Sequence, residues 1–388
     1  MTTLPGNALA GIKVLDFSHV IAGPFATQIL ADLGAEVVKI EPPGDGDVGR
    51  RTAPFHQGAS HYFLAFNRNK KSVVLDIRTD EGREVVMRAA SEADVVVENF
   101  RPGVMDRLGL GYEALRAINP SLIYCGISGF GRTSPGRDRK IYDIITQAES
   151  GVMSVNGTPD GPPMRVGIPI ADVAPALYAA IGVLGAVIQR QRTGEGALID
   201  LSCVDATTAL LANVGTLQTV SGVTPQRYGT RHYHTAPYGI FPTQDGSVAI
   251  AVITDPAWQG VCKAFDDEVA AGDLELRRVE GRARRRDEVN DWLEAHTSGR
   301  TTADVLDRLT AASVPCSAIA SVEAALHSDH AIQRGMLARV EHADYGAVDI
   351  IGSPLIGLVD NGQHHAPPLL GEHTDELLAR WTAQHDET

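Results

Sequence analysis

Ile12-Lys13-Val14-Leu15-Asp16-Phe17 is a short, apolar, β-branched run that reads as a buried strand. Phe25-Ala26-Thr27-Gln28-Ile29-Leu30-Ala31-Asp32-Leu33 follows with apolar residues at helical spacing, and Gly34 stops the helix, since glycine takes the left-handed backbone of a helix end at little cost. Val37-Val38-Lys39-Ile40 is the next strand. Strand, helix and strand in so few residues make a βαβ unit, which pairs its strands in parallel. The pattern repeats: 72–77, 95–97, 122–127 and 198–202 read as strands, and 81–90, 112–118 and 174–191 as helices. This alternation predicts an α/β fold, with a Rossmann-like large domain whose mostly parallel sheet is covered on both faces by helices.

A further helix is expected over 204–219. Composition changes near 221–228. Beyond it, 239–241 and 248–252 read as strands joined by a Gln244-Asp245-Gly246 turn, followed by polar helices at 287–296 and 302–312. That is a smaller α+β domain. The tail alternates short strands and turns and ends in a helix expected over 374–384. The domains are therefore expected at 1–220 (large), 221–333 (small, with linkers) and 334–388 (a return to the large domain).

The chain has 388 residues, 44% of them hydrophobic, and a formal net charge of −14. Such a charge argues against nucleic acid or an anionic membrane as partner. It is uneven, since the first 140 residues are close to neutral and leave room for an anionic ligand. There is no unbroken apolar run of membrane-spanning length, so no membrane span is expected. Met1-Thr2-Thr3-Leu4-Pro5-Gly6 has no charged and apolar leader, so no export signal is expected. Cys125, Cys203, Cys262 and Cys316 lie far apart and read as reduced thiols of a cytoplasmic protein.

Three familiar motifs fail on inspection. Gly129-Phe130-Gly131-Arg132-Thr133-Ser134 has Ser where a dinucleotide fingerprint needs its third Gly, and Pro135 follows where a helix should start. Gly126-Ile127-Ser128-Gly129-Phe130 misses the nucleophile-elbow spacing by one residue. His232 and His234 have no third metal ligand nearby in sequence and read as an exposed loop pair. Three basic loops, 67–71, 99–107 and 137–140, are expected at one sheet edge. There they read either as a diphosphate-binding rim or as unrelated solvated loops. In Val166-Gly167-Ile168-Pro169-Ile170-Ala171-Asp172, a carboxylate closes a strand-like run, and a small-residue helix is expected from Val173. Read by itself, Asp172 is either an ordinary N-cap or a nucleophile kept ionised beside free helix N–H groups.

These segments together resemble the class III, CaiB/BaiF-type CoA-transferases almost end to end. The similar stretches include Val14–Pro24, 33–41, 66–72, 97–103, 109–112, 194–196 and 367–375. The resemblance implies that Asp172 is the catalytic carboxylate. It implies contacts to CoA from Val20, Ile21, Ala22, Leu75, Arg78, Asn99, Phe100, Arg101, Arg107 and Lys140. It also implies a homodimer of interlocked subunits, with CoA entering as part of the substrate and no prosthetic group or metal. The implied reaction moves CoA from an acyl-CoA to a small carboxylic acid through aspartyl anhydride and aspartyl-CoA thioester intermediates.

The superfamily also contains α-methylacyl-CoA racemases, which need a His at the place where Tyr142 stands here; a phenol is a poor proton acceptor at neutral pH. A non-catalytic CoA-binding protein is a further alternative, although a binder has little use for a nucleophile. Ile21 replaces a Gln of the oxalate-using members. The stretch from Tyr228 to Tyr238 resembles that of dicarboxylate-using members, so succinyl-CoA is the expected donor and a four- to six-carbon dicarboxylate the expected acid. Arg50, Arg165 and Arg231 are candidates to hold the distal carboxylate of the acceptor, with Tyr142 and His232 also in the substrate pocket. Ile141 and Glu149 depart from the family pattern without an evident reason in the sequence.

Overall fold

The computed structural model describes residues 7–383. Residues 1–6, on which the export reading rests, and Gln384, the expected last residue of the C-terminal helix, lie outside the described residues. Chain contacts define two compact units. One comprises the residues up to Val152, Arg165–Thr216 and those from Leu326 onward; the other comprises Met153–Met164 and Leu217–Ala325.

The large unit is built on six strands: β1 (Lys13–Asp16), β2 (Glu36–Glu41), β3 (Lys70–Val74), β4 (Val95–Glu98), β5 (Ile123–Ser128) and β6 (Ala197–Ser202). Every pairing is parallel, in the order β3-β2-β1-β4-β5-β6. The order reverses between β1 and β4, and such a switch point opens a crevice at the C-terminal ends of the strands. Its helices include α1 (Ala22–Asp32), α2 (Asp80–Glu92), α3 (Tyr112–Ile118), α4 (Asp143–Glu149), α5 (Ile170–Thr193) and α6 (Cys203–Ala209).

The period-2 geometry of the strands divides the core. Val14, Val37, Val95, Val97 and Ile123 point to one face, where Ala22, Ala26 and Leu30 of α1 meet Ala176, Ala179 and Val183 of α5. Small residues on both helices allow that close approach. Leu15, Val38, Val96 and Tyr124 point to the other face and meet Val86, Ala89 and Leu115. Each fully buried Val or Leu in these layers contributes about 1.5–3 kcal/mol.

α5 is long and apolar enough to cross a membrane by length and composition, with a mean hydropathy of 1.8, and half of that stretch is buried inside the protein. The helix expected over 204–219 is broken instead: it ends at Ala209, and Ala212 takes φ +41° before a second segment, Ala212–Ser221.

The small unit holds an antiparallel sheet of β7 (Tyr238–Pro242), β8 (Ser247–Ala251) and β9 (Cys316–Ala318), ordered β9-β8-β7. Around it lie α7 (Asp255–Ala264), α8 (Arg286–Thr297) and α9 (Thr302–Ala311). Thr254 and Thr301 cap α7 and α9 through their side chains. Phe241, Trp258, Val261, Leu293 and Leu309 fill the core of this unit. The chain then returns to the large unit with a hairpin of β10 (Leu337–His342) and β11 (Gly346–Ile351), and with α10 (Thr374–Thr382). Leu377 and Trp381 of α10 complete the second face of the large sheet.

Candidate active site

The crevice at the switch point is lined by residues that follow four strands. Phe17 and His19 come after β1, Pro42 after β2, Leu75 and Arg78 after β3, and Phe100 and Arg107 after β4. They enclose a cavity of about 370 Å³, apolar in the main and edged by two guanidinium groups. Leu75, Arg78, Phe100 and Arg107 were expected contacts, and the fold brings them together. Asn99 stands just behind. Its side chain accepts from the His19 N–H at 2.8 Å and donates to the His19 carbonyl at 2.9 Å. The Phe100 and His19 rings meet edge to face at 5.2 Å. Arg78 pairs with Asp76 at 2.8 Å on the surface. Arg101, Arg107 and Lys140 are exposed, with no ion-pair partner among the described residues.

Val20, Ile21 and Ala22 form the turn from β1 into α1. Val20 has φ +67°, a costly conformation for a β-branched residue, held here because its N–H donates to the Asp47 carboxylate at 3.1 Å. Asp47 is anchored by the fully buried Lys39 at 2.8 Å, and Lys39 also donates to the Ser18 carbonyl at 2.6 Å. Asp16 lies beside it, paired with Lys70 at 3.1 Å. Burial alone raises the Asp16 carboxyl, but Lys70 and Lys39 outweigh it and hold it at about 2. This buried network, unseen in the sequence, fixes the loop that carries the three expected contacts.

The basic loop 67–71 does not join the rim. It precedes β3 rather than following a strand, so it sits at the wrong end. Arg68 is buried on Asp32 at 2.6 Å, and Lys70 is spent on Asp16. Loops 99–107 and 137–140 do approach each other, with Arg107 and Arg137 both beside Gly103.

Asp172 lies in the first turn of α5, three residues into a helix that starts at Ile170, earlier than expected. Residues 166–169 are not a strand. α5 runs back into β6, so its N-terminus stands at the same sheet edge as the cavity, beside the N-terminus of α1. Asp172 is not the N-cap; Pro169 holds that position without a side-chain cap. The first-turn N–H groups are all engaged. Ile170 donates to the Ile168 carbonyl, Asp172 and Val173 donate to the Pro169 carbonyl, and Ala171 donates to the Asp143 carboxylate at 3.1 Å. The expectation of free N–H groups beside Asp172 is therefore corrected. Its carboxylate accepts no hydrogen bond within the described residues. Burial pushes it up to about 6, and the nearby Asp143 adds to that. Desolvation outweighs the helix field that was expected to favour the charge.

Asp143, missed in the sequence, opens α4. Gln147 donates to both of its oxygens, at 3.1 and 2.9 Å, and the Gln147 carbonyl oxygen accepts from the Val166 N–H at 2.8 Å. Asp143 and Gln147 therefore brace the segment that delivers Asp172. The sequence signal was faint: an Asp four residues before a Gln, next to the conspicuous Tyr142. Arg165 approaches Asp143 at 3.9 Å, and Tyr142 is 79% exposed at the helix start. Ile141 packs against Gly129, where a Cβ would meet it at 2.7 Å, and Glu149 binds Arg139.

Arg50 and Arg231 are already committed. Arg50 grips Glu41 through two bonds of 2.7 Å, donates to the Pro368 carbonyl and stacks 3.5 Å over Phe63. Within the small unit, Arg231 binds Glu294 at 2.6 Å and lies 3.9 Å over Phe241. In the same unit, the Nδ1 of His232 accepts the N–H groups of His234 and Thr235.

Fold and site thus define a Rossmann-like α/β protein with a desolvated carboxylate at the C-terminal edge of its sheet. Residues 9–374 match the model of CoA-transferase family III, and the chain belongs to this family. It is 36% identical over 98% of its length to a succinate–glutarate CoA-transferase of Agrobacterium fabrum, covering 97% of that protein. It is 37% identical over 98% of its length to an acetyl-CoA:oxalate CoA-transferase of Acetobacter aceti, again covering 97% of it. The crystal structure of a CaiB/BaiF family protein from Brucella suis superimposes with a TM-score of 0.83 at 35% identity, covering 96% of this chain and 99% of that one.

Proposed function

We propose that this enzyme transfers CoA from a dicarboxylyl-CoA, succinyl-CoA first among them, to a small carboxylic acid, with Asp172 as nucleophile. The observation that carries this reading is the Asp172 carboxylate. It stands at the C-terminal edge of the sheet, with no hydrogen bond to quench it among the described residues, and is pushed up to about 6 by burial. At neutral pH it is still mostly ionised, and a poorly solvated carboxylate is the more reactive one. It attacks the thioester carbonyl, the C–S bond breaks, and CoA leaves as thiolate. The thiolate then attacks the Asp172 carbonyl of the anhydride and releases the donor acid, leaving aspartyl-CoA. The acceptor carboxylate repeats the steps in reverse.

The cavity behind the β1, β3 and β4 loops suits the CoA body. Its apolar walls fit the adenine and pantetheine, and Arg78 and Arg107 fit phosphates. Among the arginines, Arg165 is the one to hold the distal carboxylate of the acceptor, since it is half exposed and only loosely paired with Asp143 at 3.9 Å, whereas Arg50 and Arg231 bind carboxylates at 2.7 and 2.6 Å. The choice of a four- to six-carbon dicarboxylate over oxalate rests on Ile21 and the 228–238 stretch, because overall identity to the two kinds of relative is nearly equal.

The working form is a homodimer. Leu177, Tyr178, Ile181 and Ile188 leave an apolar face of α5 exposed, and a second copy is its natural cover. Four free thiols fit the cytoplasm. Intact mass spectrometry after brief exposure to succinyl-CoA, with peptide mapping, tests the nucleophile. A CoA or succinyl adduct on Asp172 is expected. An adduct elsewhere, or turnover undiminished in Asp172→Ala, overturns the reading.

A further inference from the structure

Glu98 ends β4 and is 4% exposed, yet neither the proposed chemistry nor the cavity wall uses it directly. Its Oε2 accepts the Phe100 N–H at 2.8 Å, across the bend where the chain leaves the sheet. Its Oε1 faces the Tyr124 hydroxyl at 3.4 Å and the Arg132 guanidinium at 3.7 Å. Arg132 reaches on to Asp106 at 2.9 Å, and its own N–H is fixed by Asp200 at 2.9 Å. Gly126 keeps this corner open, since a Cβ there would stand 3.0 Å from Glu98 Oε1. Glu98 therefore ties together both ends of the loop that forms one wall of the cavity. Phe100 lies at one end, and Asp106, next to Arg107, at the other.

We propose that Glu98 is a positioning residue for acyl-CoA binding: ionised, it holds loop 99–107 in its cavity-forming shape, and protonated, it releases that loop. This rests on the reading that the cavity receives CoA. A carboxylate bound to a backbone N–H makes a strong, charge-assisted bond, and protonation weakens it. The facing groups are few: Arg132 and Asp106 on the loop side, and Tyr124 and the Cys125 thiol on β5. One cation serves two carboxylates. Burial, helped by Asp106, pushes Glu98 up to about 7 against the pull of the Phe100 N–H, Arg132 and Tyr124, so the proton exchanges in the neutral range.

The test is transfer kinetics from pH 6 to 8.5 in the full-length protein, with succinyl-CoA and glutarate, alongside calorimetric titration with CoA. In the wild type, KM for succinyl-CoA is expected to rise about tenfold on acidification while kcat changes much less. Glu98→Gln is expected to show the high KM at every pH, with kcat within about twofold of wild type at pH 8. In Arg132→Gln the inflection is expected to move to higher pH, which keeps the test open should the first variant fold poorly. A Glu98→Gln enzyme with wild-type KM at pH 8, or one that keeps the wild-type pH dependence, overturns the proposal, as does an unmoved inflection in Arg132→Gln. Failure of the underlying reading looks different: the wild type itself then neither binds CoA nor turns over.

Discussion

Replacing Asp172 by Asn removes one charge and keeps the shape of the side chain. The ordinary value for this carboxyl is 3.8, and in the folded protein it rises to about 6, through burial first and Asp143 second. The unfolded chain therefore loses this proton before the native protein does. Between those values the native state binds more protons, so stability falls as pH rises, and the full penalty is present above pH 6. The displacement corresponds to about 3 kcal/mol; because the side chain is only partly buried, about 1–3 kcal/mol is the working range. Asp172→Asn is expected to be more stable than wild type by that amount at pH 8, and by about half as much at pH 5, while losing transfer activity. Urea denaturation of both proteins at the two pH values measures it. A variant no more stable than wild type at pH 8, or a margin that does not shrink on acidification, refutes the claim that Asp172 is held as a desolvated carboxylate.

Three further outcomes follow from the geometry. Lys39→Met leaves Asp47 buried without its cation and weakens the brace on Asp16, so urea denaturation should register a loss of about 3–5 kcal/mol. Arg50→Ala is expected to destabilise the fold by stranding Glu41, whereas Arg165→Ala is expected to leave stability within about 0.5 kcal/mol and raise the acceptor KM. Steady-state kinetics and denaturation on the same two variants separate those roles. Asp143→Asn removes the charge that helps raise Asp172, so the acid limb of the pH–rate profile should move to lower pH.

The parallel sheet was readable because each strand is a short apolar run and each helix has its own period. β1, α1 and β2 lie close to where the pattern puts them, and 112–118 is matched residue for residue. The cavity was readable in part, because residues that follow β3 and β4 must gather at the C-terminal edge of a parallel sheet. What local sequence could not carry was pairing over distance. Lys70 and Arg68 look like ligand-binding cations until Asp16 and Asp32, many residues upstream, take them. Arg50 looks free until Glu41 and the Pro368 carbonyl, from the far end of the chain, close on it. The start of α5 was placed too late because Ile168-Pro169-Ile170 is apolar and Pro-broken. Such a run reads as strand or linker, although Pro169 in fact serves as the cap of a helix held by Asp143. The state of Asp172 followed the same logic. A first-turn carboxylate is expected to be stabilised, but burial and a second carboxylate outweigh the helix.

The most direct test of Asp172 as nucleophile uses an acceptor acid labelled with heavy oxygen in its carboxylate. If that carboxylate attacks aspartyl-CoA and the resulting anhydride is split by CoA thiolate, one labelled oxygen remains on Asp172. Mass spectrometry of the peptide containing Asp172, after turnover with succinyl-CoA, should find the label there and nowhere else in the protein. Full turnover with an unlabelled Asp172 would contradict the account.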